Sequence, residues 1–200
     1  MPKRQLQELH AEVRDARGLT FVHPFDDPVV LAGAGTVGLE ILEDLPGAGT
    51  IVVPVVGGGL MGGVASAVKA LSPATRIVAV ELEAGPGLGP ALAAGKPVPV
   101  ARPANTLCDG MTPPFVGALP LGIARDAVDE IVTVSESQVL QALELLITRA
   151  KLVVEGSGAA ATAAVLAGLG SLPRDGRVVA IVSGGNADPE RLLAALAAPR

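Results

Sequence analysis

The 200-residue sequence predicts an α/β protein, a mostly parallel β-sheet flanked on both faces by helices. Short apolar runs ("TIVVPVV", "RIVAVEL", "EIVTV", "RVVAIVSGG") alternate with segments of helical period. The runs are apolar along their length rather than at every second residue, the pattern of strands buried on both sides. Half of the residues are hydrophobic, yet only Phe21, Phe25 and Phe115 are aromatic, so Ala, Val, Leu and Gly must build a core of close helix-on-sheet contacts.

The elements follow in order. Residues 3–17 read as an amphipathic helix, with Leu6, Leu9 and Val13 at helical spacing and Gly18 as its stop. "LTFVHPF" reads as a short strand broken by Pro24. "DDPVVLAGAGTVGLEILEDL" is a turn and then a helix, with Val37, Ile41 and Leu45 four apart. "TIVVPVV" is a buried strand, "GLMGGVASAVKAL" a helix and "RIVAVEL" a strand. "GPGLGPALAAG" is a short helix before a long Pro-rich loop, "KPVPVARPANTLCDGMTPP". "EIVTV" is a strand, and a helix runs from Ser135 to Lys151, with Ser135 and Gln138 at capping-box spacing. "GSGAAATAAVLAGL" is an Ala-rich helix, "RVVAIVSGG" the last strand, and a short helix closes the chain. No internal repeat or linker divides it.

Composition removes several function classes. The net charge is −5, and a basic stripe with stacking aromatics is lacking, so nucleic acid is not an expected partner. The cluster Lys3-Arg4, with Arg14 and Arg17, reads as a solvated helix face. Cys108 is the single cysteine, which excludes an internal disulfide and a Cys-based zinc cluster and suits a reducing cytoplasm. The first residues are too charged for a signal peptide. The longest apolar candidate, "GAAATAAVLAGLG", is too short and too rich in Gly and Ala to span a bilayer, so a soluble protein is expected.

The chemistry gathers at "VVPVVGGGLMGG". In parallel sheets, ligands sit at the carboxyl ends of strands. Gly57, Gly58 and Gly59 lie at such an end, where glycine lets backbone N–H groups approach a ligand and the next helix offers its positive terminus. Two readings stay open on these residues alone: an anion cup, with phosphate the commonest occupant, or a tight strand-to-helix turn. A P-loop would need Gly-Lys-Ser/Thr, which is absent. "GAGTVG", Gly33–Gly38, fits G-x-G-x-x-G, but no acidic residue ends the following strand, and a dinucleotide role is disfavoured.

Several segments together resemble a known family. "FVHPFDDPVVLAGAGTVGLEIL", "VVPVVGGGLMGG", "VAVELE", "TLCDGM", "VDEIVTVSE", "KLVVEGSGAAA" and "IVSGGN" occur in the order seen in threonine and serine dehydratases. These are fold-type II pyridoxal 5′-phosphate enzymes, with serine racemase and tryptophan synthase β. The resemblance runs from about Gly18 onward. It implies that the backbone of Gly57, Gly58, Gly59 and Leu60 holds the cofactor's phosphate, with Val56 at the first position of a loop that in the family has four glycines. Ser183, followed by Gly184, matches the neutral partner of the pyridine nitrogen. Such a partner makes the ring a weaker electron sink than an Asp would, which favours elimination at Cβ. Glu155 matches an acidic position near the site, with a helix-terminal carboxylate as the alternative. Asp109-Gly110 lies in a loop that the family folds near the cofactor, with a plain turn as the alternative. Glu81 matches a divalent-cation ligand of some relatives, but the carboxylate expected further along is replaced by Gly87, which favours a structural glutamate.

The resemblance implies a hydroxyamino-acid dehydratase that converts L-threonine or L-serine to a 2-keto acid and ammonia. None of the four lysines (Lys3, Lys69, Lys96, Lys151) has the context of the family's Schiff-base lysine. Residues 1–20 are then expected to be the end of a smaller domain or a linking helix, and residues 21–200 the cofactor-binding domain. A truncated chain inactive alone is the leading expectation. The alternatives are a carboxyl half that pairs with a separate amino-terminal half, and a non-catalytic phosphate-ligand or interaction module. An amino acid substrate and a homo-oligomer are the expected partners.

Overall fold

The computed structural model describes residues 3–100, 106–173 and 176–197, apart from the side chains of residues 3–8, 191 and 195. Four strands form one parallel sheet in the order β3-β2-β1-β4: β1 Thr50–Pro54, β2 Arg76–Leu82, β3 Glu130–Val134 and β4 Val178–Ala180. β1 lies beside β2 with Thr50 opposite Arg76, and beside β4 with Thr50 opposite Val178. β2 lies beside β3 with Val78 opposite Glu130.

Alternation along the central strands sorts the core into two layers. Ile51, Val53, Ile77 and Ala79 face α3 (Gly59–Leu71), α4 (Leu88–Ala94) and α5 (Ala118–Ala127). Val52, Val78, Val80 and Leu82 face α6 (Glu136–Leu145) and α7 (Gly156–Leu166). All of these strand residues are buried. A Val or Leu so placed stabilises the fold by roughly 1.5–3 kcal/mol over an exposed one. This double burial is why β1 and β2 read as continuous apolar runs. α7 is apolar all round and takes its place in the core accordingly.

α2 (Pro28–Asp44) packs outside α3. A methyl group at Gly63 of α3 would fall 2.3 Å from the Leu31 carbonyl oxygen, so the two helices meet backbone to backbone. Gly35 and Gly38, from "GAGTVG", lie inside α2 against the carbonyls of Gly63 and Val64. That motif is a helix–helix contact and not a dinucleotide loop. α1 (Lys3–Arg17) and α8 (Pro189–Ala197) complete the chain. On α1 the expected apolar stripe is not covered: Leu9 and Val13 are exposed, and Leu6 lies outside the described side chains.

Four expectations are corrected. "LTFVHPF" is not a strand: it joins no sheet edge, Phe21 and Val22 are exposed, and Pro24 has no N–H to pair. The strand of "RVVAIVSGG" is confined to β4. The helix expected from Ser135 to Lys151 ends at Leu145 and gives way to a π-helical turn, Leu146–Ala150, closed by Lys151 in the left-handed conformation (φ 62°). α5 forms where the pattern assigned no element. Within the Pro-rich loop, residues 101–105 lie outside the described set.

Candidate functional site

β1 delivers the glycine loop to the carboxyl edge of the sheet. Val55 donates its N–H to Val80 O at 2.8 Å, and the chain then turns into α3 through Gly57 and Gly58. Gly58 has φ +94°, which a side chain would strain, and no side chain caps α3. Helix geometry leaves the first N–H groups of α3, those of Gly59, Leu60 and Met61, without intrahelical acceptors. They form a positive, uncapped end.

The segment "HPFDDP" forms the neighbouring wall. His23 Nδ1 accepts the N–H of Asp26 at 2.9 Å and that of Phe25 at 3.4 Å. The Asp26 carboxylate accepts the amides of Ala118 (3.0 Å) and Leu119 (2.8 Å) and so caps α5. Asp27 caps α2 through the amides of Val29 and Val30. These bonds seat Phe25 on the loop: a methyl group at Gly57 would lie 2.3 Å from the Phe25 ring. Gly57 is needed for that close approach.

The opposite wall comes from the end of β4 and the start of α7. Glu155 stands at the N-cap position of α7, and its N–H donates to Gly184 O at 3.1 Å. Its carboxylate lies between two glycines: a methyl group at Gly184 would fall 2.6 Å from Glu155 Oε1, and one at Gly110 would fall 2.8 Å from it. Gly110 belongs to a 3₁₀ turn, Asp109–Met111. Gly158 lies so close to the Ser183 carbonyl that any side chain there would overlap it.

These walls enclose a cavity of about 310 Å³. Gly57, Gly58, Gly59 and Leu60 line one side, and Gly110, Glu155 and Ser183 another, so seven of the residues singled out from the sequence meet in one place. Gly184, also singled out, is not among the lining residues and lies against Glu155. Val56, at the first loop position, lines the cavity and also packs on the core beneath the sheet. Sequence reasoning missed Pro24, Phe25 and Ser157, which also line it. For the first two a signal existed in the Asp27 cap before Pro28, which fixes where the segment must turn. For Ser157 none did, because a serine in an Ala-rich helix start carries no pattern.

Among the described residues, Glu155 is the one titratable residue lining the cavity, and no lysine joins it. Lys69 is held by Asp129 Oδ2 at 2.8 Å and by the carbonyl of Thr75, and Lys151 donates to Thr148 O. Cys108 is fully buried behind the Gly110 turn; burial first, and then the negative charge of Glu136, push its pKa up to about 12. It is not a nucleophile at neutral pH.

Glu81 does not line this cavity. Its Oε1 accepts the amides of Gly87 (2.6 Å) and Leu88 (2.5 Å), and Oε2 accepts that of Gly89 (3.2 Å). The carboxylate is the cap of α4. Among the described residues no group of three or more His, Cys, Asp or Glu could hold a metal ion.

A glycine loop at the carboxyl edge of a parallel sheet, opening onto an uncapped helix start, is an anion site by its chemistry, and comparison with known proteins gives the family. Residues 3–184 match the model of the family described as "Pyridoxal-phosphate dependent enzyme", and the chain belongs to that family. Among curated relatives, the L-threonine ammonia-lyase of Geobacter sulfurreducens is 44% identical over 177 residues, which is 88% of this chain and 44% of that protein. The catabolic L-threonine dehydratase TdcB of Escherichia coli K12 is 40% identical over 183 residues, 91% of this chain and 55% of that protein. The chain thus spans about half the length of the curated relatives it matches. Among solved structures, the threonine deaminase of T.th. superposes with a TM-score of 0.83 at 42% identity, covering 90% of this chain and 65% of that one. Maize serine racemase does so with 0.85 at 34%, covering 95% and 58%. The fold is that of the fold-type II enzymes. No helix among the described residues is long and apolar enough to cross a membrane.

Proposed function

We propose that this chain forms the cofactor-binding part of an ammonia-lyase acting on a hydroxyamino acid, L-threonine or L-serine. The observation that carries the reading is the cavity itself, in which the loop Gly57–Leu60, opening onto the uncapped start of α3, faces Ser183 and Glu155. Pyridoxal phosphate fits these residues. Its phosphate suits the uncapped start of α3, where the glycines leave the backbone bare. The hydroxyl of Ser183, on the wall opposite the glycine loop, suits a polar ring edge and not an apolar ligand.

When bound, pyridoxal phosphate supplies an electron sink for the substrate's Cα. This chain's residues do the rest of what is assigned here. The amides of the glycine loop fix the phosphate and thereby the ring's position. Ser183 would keep its own proton on Oγ and offer it as a hydrogen bond to the ring nitrogen. Being neutral, that hydroxyl would not require a charged nitrogen. Phe25 and Pro24 shield the loop from water. Glu155, held between Gly110 and Gly184, sets the negative potential of the ring-end wall. The proton at Cα needs a base, and among the described residues no lysine lines the cavity. We propose that a lysine from another part of the assembled enzyme supplies that base.

Incubation with pyridoxal phosphate, borohydride reduction and peptide mapping test this reading. Absorbance titration should show saturable binding that inorganic phosphate competes away. Mapping should show no stoichiometric lysine adduct, and threonine should not turn over on the chain alone. A single stoichiometric adduct with turnover would overturn the assignment of the lysine. Absence of saturable binding would overturn the cofactor reading.

A further inference from the structure

Gly110, which lines the cavity, belongs to a segment that is anchored to a different element. Glu136, the first residue of α6, takes two donors from that segment: the Thr106 hydroxyl on Oε1, and the Leu107 N–H on Oε2 at 3.0 Å. Thr106 Oγ1 in turn accepts the Cys108 N–H at 2.9 Å. The residues that follow close on themselves. Met111 donates its N–H to Cys108 O at 2.8 Å, Gly110 its N–H to Asp109 Oδ1 at 2.9 Å, and Thr112 its hydroxyl to Asp109 O at 2.7 Å. Such a turn moves as one piece, and Glu136 holds the stretch of chain on which it hangs.

The same segment presses on the start of α7. A methyl group at Gly156 would fall 2.4 Å from the Leu107 carbonyl oxygen, and one at Gly110 would fall 2.8 Å from Glu155 Oε1. Leu107 thus has its N–H on Glu136 and its carbonyl against the first residue of α7, while Gly110 meets the Glu155 carboxylate. A carboxylate at this position is more than α6 needs, because the Ser135–Gln138 capping box already serves the helix start. A glutamate there for the helix dipole alone would extend into water. Glu136 is instead half-buried and committed to Thr106, itself 5% exposed, and to Leu107. Hydrogen bonds to a charged acceptor are roughly twice as strong as neutral ones. Residues 106–108 lie in neither helix nor strand, so these bonds stand in for the ladder the segment lacks.

We propose that Glu136 is a positioning residue for the ring-end wall of the cavity: through Thr106 and Leu107 it holds the Gly110 turn against Glu155. It touches no ligand itself. This rests on the pyridoxal phosphate reading above. The phosphate end of the cavity is built from other parts of the chain, the glycine loop, the start of α3 and the segment around Phe25. Glu136 therefore governs how closely a ring is held and leaves the anion cup as it is.

Glu136→Ala and Glu136→Gln in the 200-residue chain test the inference, with pyridoxal phosphate and inorganic phosphate titrated well below the melting temperature of each variant. Glu136→Ala should bind pyridoxal phosphate about tenfold more weakly, the scale of one hydrogen bond to a charged group, with its affinity for inorganic phosphate unchanged. Glu136→Gln should recover most of the loss, since its Oε1 can accept the Leu107 N–H while its Nε2 donates to Thr106 Oγ1. Cys108 lies in the held segment and gives a local readout. Both variants remove the Glu136 charge that raises its pKa, so faster reaction of Ellman's reagent with the alanine variant than with the glutamine variant reports an opened turn. Should Glu136→Ala fail to fold, Thr106→Val takes its place, with an expected loss of about threefold for pyridoxal phosphate and none for inorganic phosphate. Equal affinity of the alanine (or valine) variant and the unsubstituted chain for pyridoxal phosphate would overturn the inference and leave the cofactor reading standing. So would an equal loss for inorganic phosphate, a glutamine variant as weak as the alanine one, or equal thiol rates in the two. If the unsubstituted chain binds no pyridoxal phosphate, the cofactor reading falls and this inference with it.

Discussion

Glu81 illustrates how one carboxylate resolves between two roles. It is 3% exposed, and three backbone amides of the first turn of α4 point at it. With its oxygens so engaged and Gly87 in place of a second carboxylate, it serves as a cap. Replacing Glu81 by Ala leaves those amides buried without acceptors and should lower stability by about 2 kcal/mol. Denaturant unfolding would measure it. Millimolar Mg²⁺ or Ca²⁺ should leave the melting temperature of the unsubstituted chain unchanged; a clear rise would restore the cation. Such a distinction was half legible in the sequence. The missing carboxylate could be seen there, but the amides that replace the metal appear only once α4 is folded over the end of β2.

At the scale of elements, ion pairs tie helices and loops to the sheet's edge. Lys69, near the end of α3, meets Asp129 just before β3, and Asp129 also accepts the N–H of Ile77 in β2 at 2.7 Å. Burial pushes the Asp129 carboxyl up, but the Lys69 ammonium and the Ile77 amide outweigh it and hold the group below its ordinary range. Glu130 is held low as well, by the Ser171 amide and the Arg76 guanidinium. A carboxyl depressed in the folded state lends stability above its unfolded pKa and loses it as the pH falls through the folded one. The lead in stability of the unsubstituted chain over Asp129→Asn should therefore shrink as the pH drops below about 4. Parallel melts at pH 7 and pH 3 would show it, and a constant gap would refute it.

Elements with a strong local signal were legible in advance. The bounds of α3, β2 and β3 agree with the pattern to the residue, and the capping box is present, with Ser135 Oγ accepting the Gln138 N–H and Gln138 Oε1 accepting that of Ser135. Failures occurred where the determinant was distant. "LTFVHPF" has strand-like residues but no edge to join. α5 is started by the carboxylate of Asp26, which is more than ninety residues away in sequence. The candidate site divides in the same way. Its glycines and Ser183 could be read through the resemblance, whereas Ser157 enters only through three-dimensional closure.

For the whole molecule, the buried single thiol offers a readout of unfolding. Cys108 is inaccessible, and its pKa is pushed up to about 12 by burial and by Glu136. In the folded chain, thiolate is scarce at pH 8, and the group is screened from reagents. Ellman's reagent should react slowly with the native chain and at the ordinary rate in 6 M guanidinium chloride. Saturating pyridoxal phosphate should slow the native reaction further, because a ligand that binds the folded state lowers the population of open forms. A native rate equal to the denatured one would show that the Gly110 turn does not close over the thiol.

The seating of Phe25 on Gly57 bears on where the binding motif ends. A compact string such as "GGGLMGG" invites transfer to another sheet as a portable cassette. Here its roof is an aromatic ring about thirty positions earlier, and its flank is Pro120, which stands 2.5 Å from where a methyl group at Gly58 would fall. Transplanted alone, the string would keep its turn and lose its enclosure, and its amides would be hydrated like those of any open helix end. The inheritable unit is the whole interlocked set, and an engineer who wanted the cup would have to move the histidine, the two aspartates and the far helix with it.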